Sequence, residues 1–259
     1  MKFHSPKTYH RRALCSNDRG MLQRYWNDIT FAYSGLKLTF EKDKLPALSG
    51  VAKQMLSQRD GDEYISGLWR STIISDLRWT SFERNTRRPS RYRAPTWSWA
   101  SLDGTAQVMA YDTDTKSEAQ SYAKCVDVSV TLAGPDPTGE VSAGYIVLDA
   151  PLKIAKLHRN EKSKGWWDRW LNGADNLTAE FSPDCHSDFQ TGALTTSDKV
   201  MCVRLGESAD SCDMCLVLKQ RNIDGMAQYQ RVGYFTHKGE ALETHWFGPD
   251  TQYGQVKIV

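Results

Sequence analysis

Cysteine, histidine and tryptophan are the residues here whose types and spacing could do chemistry. Cys212-x-x-Cys215 has the spacing of a zinc half-site, with Cys185 and His186 as the other pair. That pair is adjacent, with no two-residue gap, and Cys215 opens the apolar run "CLVLK". The cysteines therefore read as small buried hydrophobes, and no metal site is expected. His237 and His245 lie near the C-terminus and read as structural, although an imidazole near its ordinary pKa is also a candidate acid or base. The third pattern is "RYRAPTWSWASLDG", Arg91 to Gly104. At period two, Trp97 and Trp99 share one face of a strand that Pro95 stiffens and the Asp103-Gly104 turn ends. Such an aromatic face either anchors a core or lines a pocket.

The familiar catalytic signatures do not occur. There is no phosphate-cradling glycine loop, no G-x-S-x-G turn and no H-E-x-x-H helix, so nicotinamide hydride transfer and serine acyl transfer lose support. No cofactor is expected. A formal charge of +2 over 259 residues gives no reason to expect a nucleic-acid partner. No apolar run approaches the roughly 20 residues of a membrane span. The basic N-terminus has no apolar segment behind it, so a cytoplasmic protein with free thiols is expected. The sequon Asn176-Leu177-Thr178 then reads as chance.

The elements that must position these residues follow from periodicity. Residues 1–19 read as a loose polar arm and residues 20–259 as one domain, helical over 20–81 and β-rich over 91–259. Leu22, Trp26, Ile29 and Tyr33 form one helical stripe; Leu45, Leu48, Val51 and Met55 form a second, capped by Asp43. Ile65, Leu68, Trp69, Ile73 and Leu77 predict a third helix. The connector "ERNTRRPSRYR" carries five arginines and reads as a solvated loop, with an anion site as the alternative.

Beyond it, "KCVDVSVTLAG" sets Val126, Val128, Val130 and Leu132 against polar residues, and "YIVLDAPLKIAKL", "KVMCVRLG", "MCLVLKQ" and "QYQRVGYFT" are further strands. "NIDGMAQ" is a hairpin loop, and "KSKGWWDRWLNGADN" reads as a short helix with Trp166, Trp167 and Trp170. The fold class is α+β, with N-terminal helices packed on a predominantly antiparallel β-barrel or curled sheet.

In order, "LPALSGVAKQM", "YISGLWRSTIISDLRW", "YRAPTWSWASLDG", "GPDPTGEVSAGYIVL" and "YQRVGYFT" resemble the C-terminal region of fungal heterokaryon-incompatibility (HET) proteins, over roughly residues 20–236. The HET domain itself, with its "LSYCWG"-type motif, has no counterpart here, so the expectation is the C-terminal region as a free-standing protein. Among HET-related proteins, the chain is similar to norbornene-forming Diels–Alderases that act on a diterpenoid. That resemblance implies a small hydrophobic terpenoid substrate, an apolar cavity that folds it, and a donor that polarises a carbonyl. Trp69, Trp97 and Trp99 would line the cavity. The donor candidates are Arg70, Tyr111, Arg231, Tyr234 and His237. Tyrosine and arginine stay protonated across neutral pH, so only His237 would give a step, near about pH 6.5. Two other readings stay open: a non-catalytic interaction module and a small-molecule binding protein.

Overall fold

Period-two apolar patterning beyond Gln120 builds a large, mostly antiparallel curled sheet, and the helices before it cover one face, giving an α+β fold. The computed structural model describes residues 6–16, 18–81, 83, 85–108, 120–159, 169–173, 177–208, 210–223, 225–239, 246–248 and 251–259. Helices α1 (Pro6–Leu14) and α2 (Arg19–Ser34) come first, and 3-10 turns at Glu41–Lys44 and Pro46–Leu48 lead into α3 (Ser49–Leu56). A hairpin of β1 (Tyr64–Ile65) and β2 (Leu68–Trp69) follows, then a 3-10 turn (Arg70–Thr72), α4 (Ile73–Asp76) and β3 (Trp79–Thr80). β3 pairs with β4 (Gln107–Val108). The sheet takes β5 (Gln120–Ser121), β6 (Lys124–Leu132), β7 (Val141–Arg159), β8 (Arg169–Gly173), β9 (Thr178–Glu180) and β10 (Ser182–Pro183). After α5 (Ser187–Gln190) it adds β11 (Lys199–Glu207), β12 (Cys212–Ile223), β13 (Met226–Lys238) and β14 (Tyr253–Ile258).

Strand β7 is the pivot. Its residues Ile146–Pro151 pair with β14, Leu152–Lys156 with β11 and Ala155–Arg159 with β8. β11, β12 and β13 are successive antiparallel neighbours, and β14 meets β13 at the parallel pair Tyr229 and Ile258. The pairing thus returns to β7, and a ring of five strands closes on itself, which leaves few free edges. The β12–β13 hairpin turns at Gly225, whose φ of +77° suits glycine.

Alternate residues of these strands feed two cores. Leu216 and Leu218 join the first, with Leu22, Trp26, Trp97, Trp99 and Ile258, whereas Cys215 and Val217 join the second, with Phe235, Trp246 and Phe247. Because the first core draws on both α2 and the last strand, helices and sheet stabilise each other. Cys185, Cys202 and Cys215 are buried free thiols.

Local reading fails where a turn is tighter than its periodicity indicates. The segment expected as a third helix is instead β1, β2, a 3-10 turn and α4, because Ser66 and Gly67 both take positive φ (48° and 94°), as a two-residue hairpin turn requires. Gly67 is also packed so closely that a Cβ there would lie 2.7 Å from the Trp99 indole nitrogen. Residues 41–48 are two 3-10 turns, so α3 starts at Ser49 rather than beside Asp43.

The tryptophan segment is no strand either. Ser98 caps a 3-10 turn over Trp99–Ser101, its hydroxyl accepting from the Ala100 N–H and donating to the Ser66 carbonyl. The expected loose arm holds α1, packed beside α2. Arg169–Gly173, including Trp170, is strand β8 rather than helix; Trp166 and Trp167 lie outside the described residues. In β6 the register shifts between Cys125 and Asp127, which turns Val126 to solvent while Val128 stays buried.

Candidate functional site

The tryptophans named from sequence are core. Trp97 and Trp99 are 0% and 1% exposed. The Gly67 carbonyl accepts from the indoles of both Trp26 (3.0 Å) and Trp99 (2.9 Å), and Trp79 donates to the Trp97 carbonyl (2.9 Å). Trp69 packs edge-on against Trp26 and Tyr64, each with ring centres 5.3 Å away, and Arg59 lies over its face at 4.3 Å.

The donor candidates separate. Arg231 is fully buried, lies 3.6 Å over the Trp79 ring and pairs with Asp184 at 3.0 and 3.1 Å. It also donates to the carbonyls of Leu77 (2.7 Å) and Trp79, so it ties β13 to the end of α4 and to β3. Tyr234 is buried close enough to interact electrostatically with Arg231. The fold therefore brings Trp97, Arg231 and Tyr234 to one seam. Arg70 is instead on the surface, 3.4 Å from Glu63, in a 3-10 turn rather than a helix. His237 lies beside Trp246 in the second core, ring centres 5.7 Å apart. Tyr111 is outside the described residues. Among the described residues no group of three or more His, Cys, Asp or Glu is placed to hold a metal ion. No helix there is long and apolar enough to cross a membrane.

A cavity of about 270 Å³ opens where α2 ends, built from three chain segments. Gly35, Leu36, Lys37, Leu38 and Glu41 come from the loop after α2; Glu83, Asn85, Arg87 and Arg93 from the arginine-rich connector; Asp103 and Gly104 from the turn after the tryptophans. Arg93 holds the segments together. Its Nε donates to Ala100 O (2.7 Å), Nη1 to Glu41 O (3.2 Å) and Asp103 Oδ1 (2.8 Å), and Nη2 to Leu102 O (2.8 Å). Backbone bonds between Arg87 and Asp103 (3.1 and 2.8 Å) fix the opposite wall.

The carboxylates of this cavity are committed to the protein. Glu41 accepts from the Ser90 N–H (3.1 Å) and hydroxyl (2.9 Å), Glu83 from Thr105, and Asp103 from Arg93. Two of its cations are not. Lys37, Arg87 and the amide of Asn85 make no side-chain hydrogen bond or ion pair among the described residues. Leu36 is 57% exposed at the same wall, and exposed Phe40 directly precedes Glu41.

Behind the wall, Lys44 is buried with its Nζ on the Ser34 carbonyl (2.5 Å). Burial first, and the charge of Arg93 second, lower its pKa to about 8. The Tyr33 hydroxyl donates to Lys44 O (3.0 Å), and burial raises the Tyr33 pKa. The arrangement offers unbonded donors beside apolar surface: it can hold a molecule with an apolar body and a carbonyl or carboxylate oxygen. Sequence reading missed this site because its parts lie in a connector read as solvated and in a turn read only as a strand end. The one signal was the anion-site alternative for the connector.

No family model matches the chain, and no curated protein or solved structure matches it either.

Proposed function

We propose that the chain is a cofactor-independent cyclase of fungal natural-product biosynthesis. Its reaction is an intramolecular Diels–Alder cycloaddition of a terpenoid, giving a norbornene-type bicycle of the sordaricin kind. The observation that carries this reading is the pairing of uncommitted donors Lys37, Asn85 and Arg87 with apolar Leu36 and Leu38 in one cavity. The resemblance to the HET-derived region supports the same reaction class.

In such a reaction two carbon–carbon σ bonds form from π electrons already in the substrate, and no atom leaves. The protein's task is then conformational and electrostatic. The cavity walls restrict the chain to the conformer in which diene and dienophile meet. A donor on the dienophile carbonyl stabilises the charge that grows there in the transition state. One such donor is worth about 10²-fold, roughly 3 kcal/mol, by analogy with oxyanion-hole donors. The cavity is small beside typical ligand sites of about 300–1,000 Å³, so part of a terpenoid skeleton would rest on exposed Leu36.

The test is incubation of the purified protein with the diene–dienophile precursor beside a protein-free control. Faster formation of a single stereoisomer, lost in Arg87→Met and Lys37→Met, is the expected result. Unchanged rate and isomer ratio would reject the reading. Saturable precursor binding without acceleration would make the protein a binding protein instead.

A further inference from the structure

Four arginines are buried among the described residues: Arg59, Arg78, Arg93 and Arg231. Three have acceptors. Arg59 donates to Asp62 (2.9 Å) and Gln23 (2.5 Å), Arg93 to three carbonyls and Asp103, and Arg231 to Asp184 and two carbonyls. The guanidinium of Arg78, in a residue only 8% exposed, makes no hydrogen bond or ion pair among the described residues, and its buried Nε has no partner.

A buried charge without a partner is strongly unfavourable, and arginine does not escape by losing its proton. The backbone around Arg78 is held rigidly all the same. Its N–H bonds Ser75 O (3.1 Å), and the carbonyls on either side of it, Leu77 and Trp79, both accept from Arg231. The side chain reaches Gly206, at the register irregularity of β11, where an added Cβ would lie 3.3 Å from Nη2. The glycine is required by the Gln120 carbonyl, which lies against the Gly206 backbone, and the Arg78 fork packs beside it.

We propose that Arg78 anchors an oxyanion-binding site that takes the carboxylate of a small organic acid. Two planar oxygens match the guanidinium fork. A single charge suits the surroundings better than a dianion, because Asp76 from α4 and Tyr234 from β13 both lie within electrostatic reach of Arg78. Arg231, which bonds the carbonyls on either side of Arg78, is already spent on Asp184. The site uses none of the residues of the cavity at the end of α2, so it stands whether or not that cavity binds a terpenoid.

The experiment is thermal unfolding of the full chain in sodium acetate, sodium chloride and sodium phosphate at matched pH and ionic strength. Acetate should raise the midpoint over chloride by about 2–4 °C at tenfold or greater excess over its dissociation constant. Arg78→Met should abolish that rise and, in chloride, melt no lower than wild type, because it removes a buried charge that no described residue hydrogen-bonds or ion-pairs. Arg78→Lys, which keeps the charge but not the fork, should retain less than half of the rise. It also serves if the methionine variant does not fold. Equal midpoints for wild type in acetate and chloride would overturn the proposal, as would an acetate response that survives in Arg78→Met. A phosphate response larger than that of acetate and dependent on Arg78 would overturn the carboxylate assignment.

Discussion

Around Arg231 the donors are spent: one guanidinium holds a carboxylate and two carbonyls, with the Trp79 ring beneath it. In the cavity at the end of α2 the carboxylates are engaged, but Lys37 and Arg87 have no side-chain partner among the described residues. Both regions are rich in charge, but the Arg231 guanidinium has nothing left to offer a ligand, whereas Lys37 and Arg87 do. A conspicuous residue is not thereby an available one. Clustered tryptophans and a buried arginine attract the eye because they are costly to place, and here that placement joins helices to sheet.

Removing the saturated side chains should have the largest effect. Trp97→Ala and Trp99→Ala should each cost about 3–5 kcal/mol, measured by denaturant unfolding, since each deletes a fully buried indole. Trp99→Ala also strands part of the Gly67 carbonyl's bonding. A wild-type midpoint in either variant would contradict burial. Arg231→Met should cost a similar 3–5 kcal/mol, because Asp184 stays buried without its partner. Arg231→Met with Asp184→Asn should recover part of that loss if the pair, rather than the arginine alone, carries the effect.

Two buried groups, Asp76 and Lys44, make stability depend on pH. Burial raises the Asp76 pKa from 3.8 to about 7, so its stability contribution is full below the unfolded value and is lost as pH rises through about 7. Asp76 belongs to the buried polar network of Trp69, Thr72 and Gln23. Burial lowers the Lys44 pKa from 10.5 to about 8, so its contribution is full above the unfolded value and is lost as pH falls through about 8. From these two groups stability should pass through a minimum between about pH 7 and 8, with limbs on the order of 1–3 kcal/mol. Asp76→Asn should flatten the acid limb and Lys44→Met the alkaline one, each read from unfolding free energy against pH.

Cavity substitutions should do the opposite of core ones. Arg87→Met and Lys37→Met should leave stability within about 0.5 kcal/mol of wild type, as surface changes do, while lowering precursor turnover or affinity about 10²-fold. A large stability loss would place these cations in the structural class of Arg231. The smallest effect expected is that of chelation: dialysis against a strong chelator should leave the melting midpoint unchanged, and stoichiometric zinc by elemental analysis would bring Cys185, His186, Cys212 and Cys215 back into question.

Much of the sheet was legible because period two is a local property: β6, β7, β11, β12 and β13 lie where the apolar alternation places them. Helix α2 followed in the same way from Leu22, Trp26, Ile29 and Tyr33. The short elements were not legible. Ser66-Gly67 breaks a stripe that otherwise fits a helix, and Ser98 folds a two-residue alternation into a 3-10 turn by bonding to Ser66, far away in the chain. β14 was missed because its alternation is short, with only Val256 and Ile258 buried, and its partner β7 is remote in sequence.

The α+β class and the long strands therefore follow from the amino-acid order alone, because propensity, period and hydrophobicity act over a few neighbouring residues, whereas whether Trp97 and Trp99 lie in core or on a pocket wall stayed open. Which arginine is saturated and which is left with donors to spare was decided only in the tertiary structure. Arg78, Arg87, Arg93 and Arg231 are the same residue in composition, and their difference lies in acceptors delivered by other segments. Asp184 reaches Arg231 and Asp103 reaches Arg93, while no described group reaches the forks of Arg78 or Arg87. Hydrogen bonding works over about 3 Å, and only the folded chain sets such distances between residues remote in sequence.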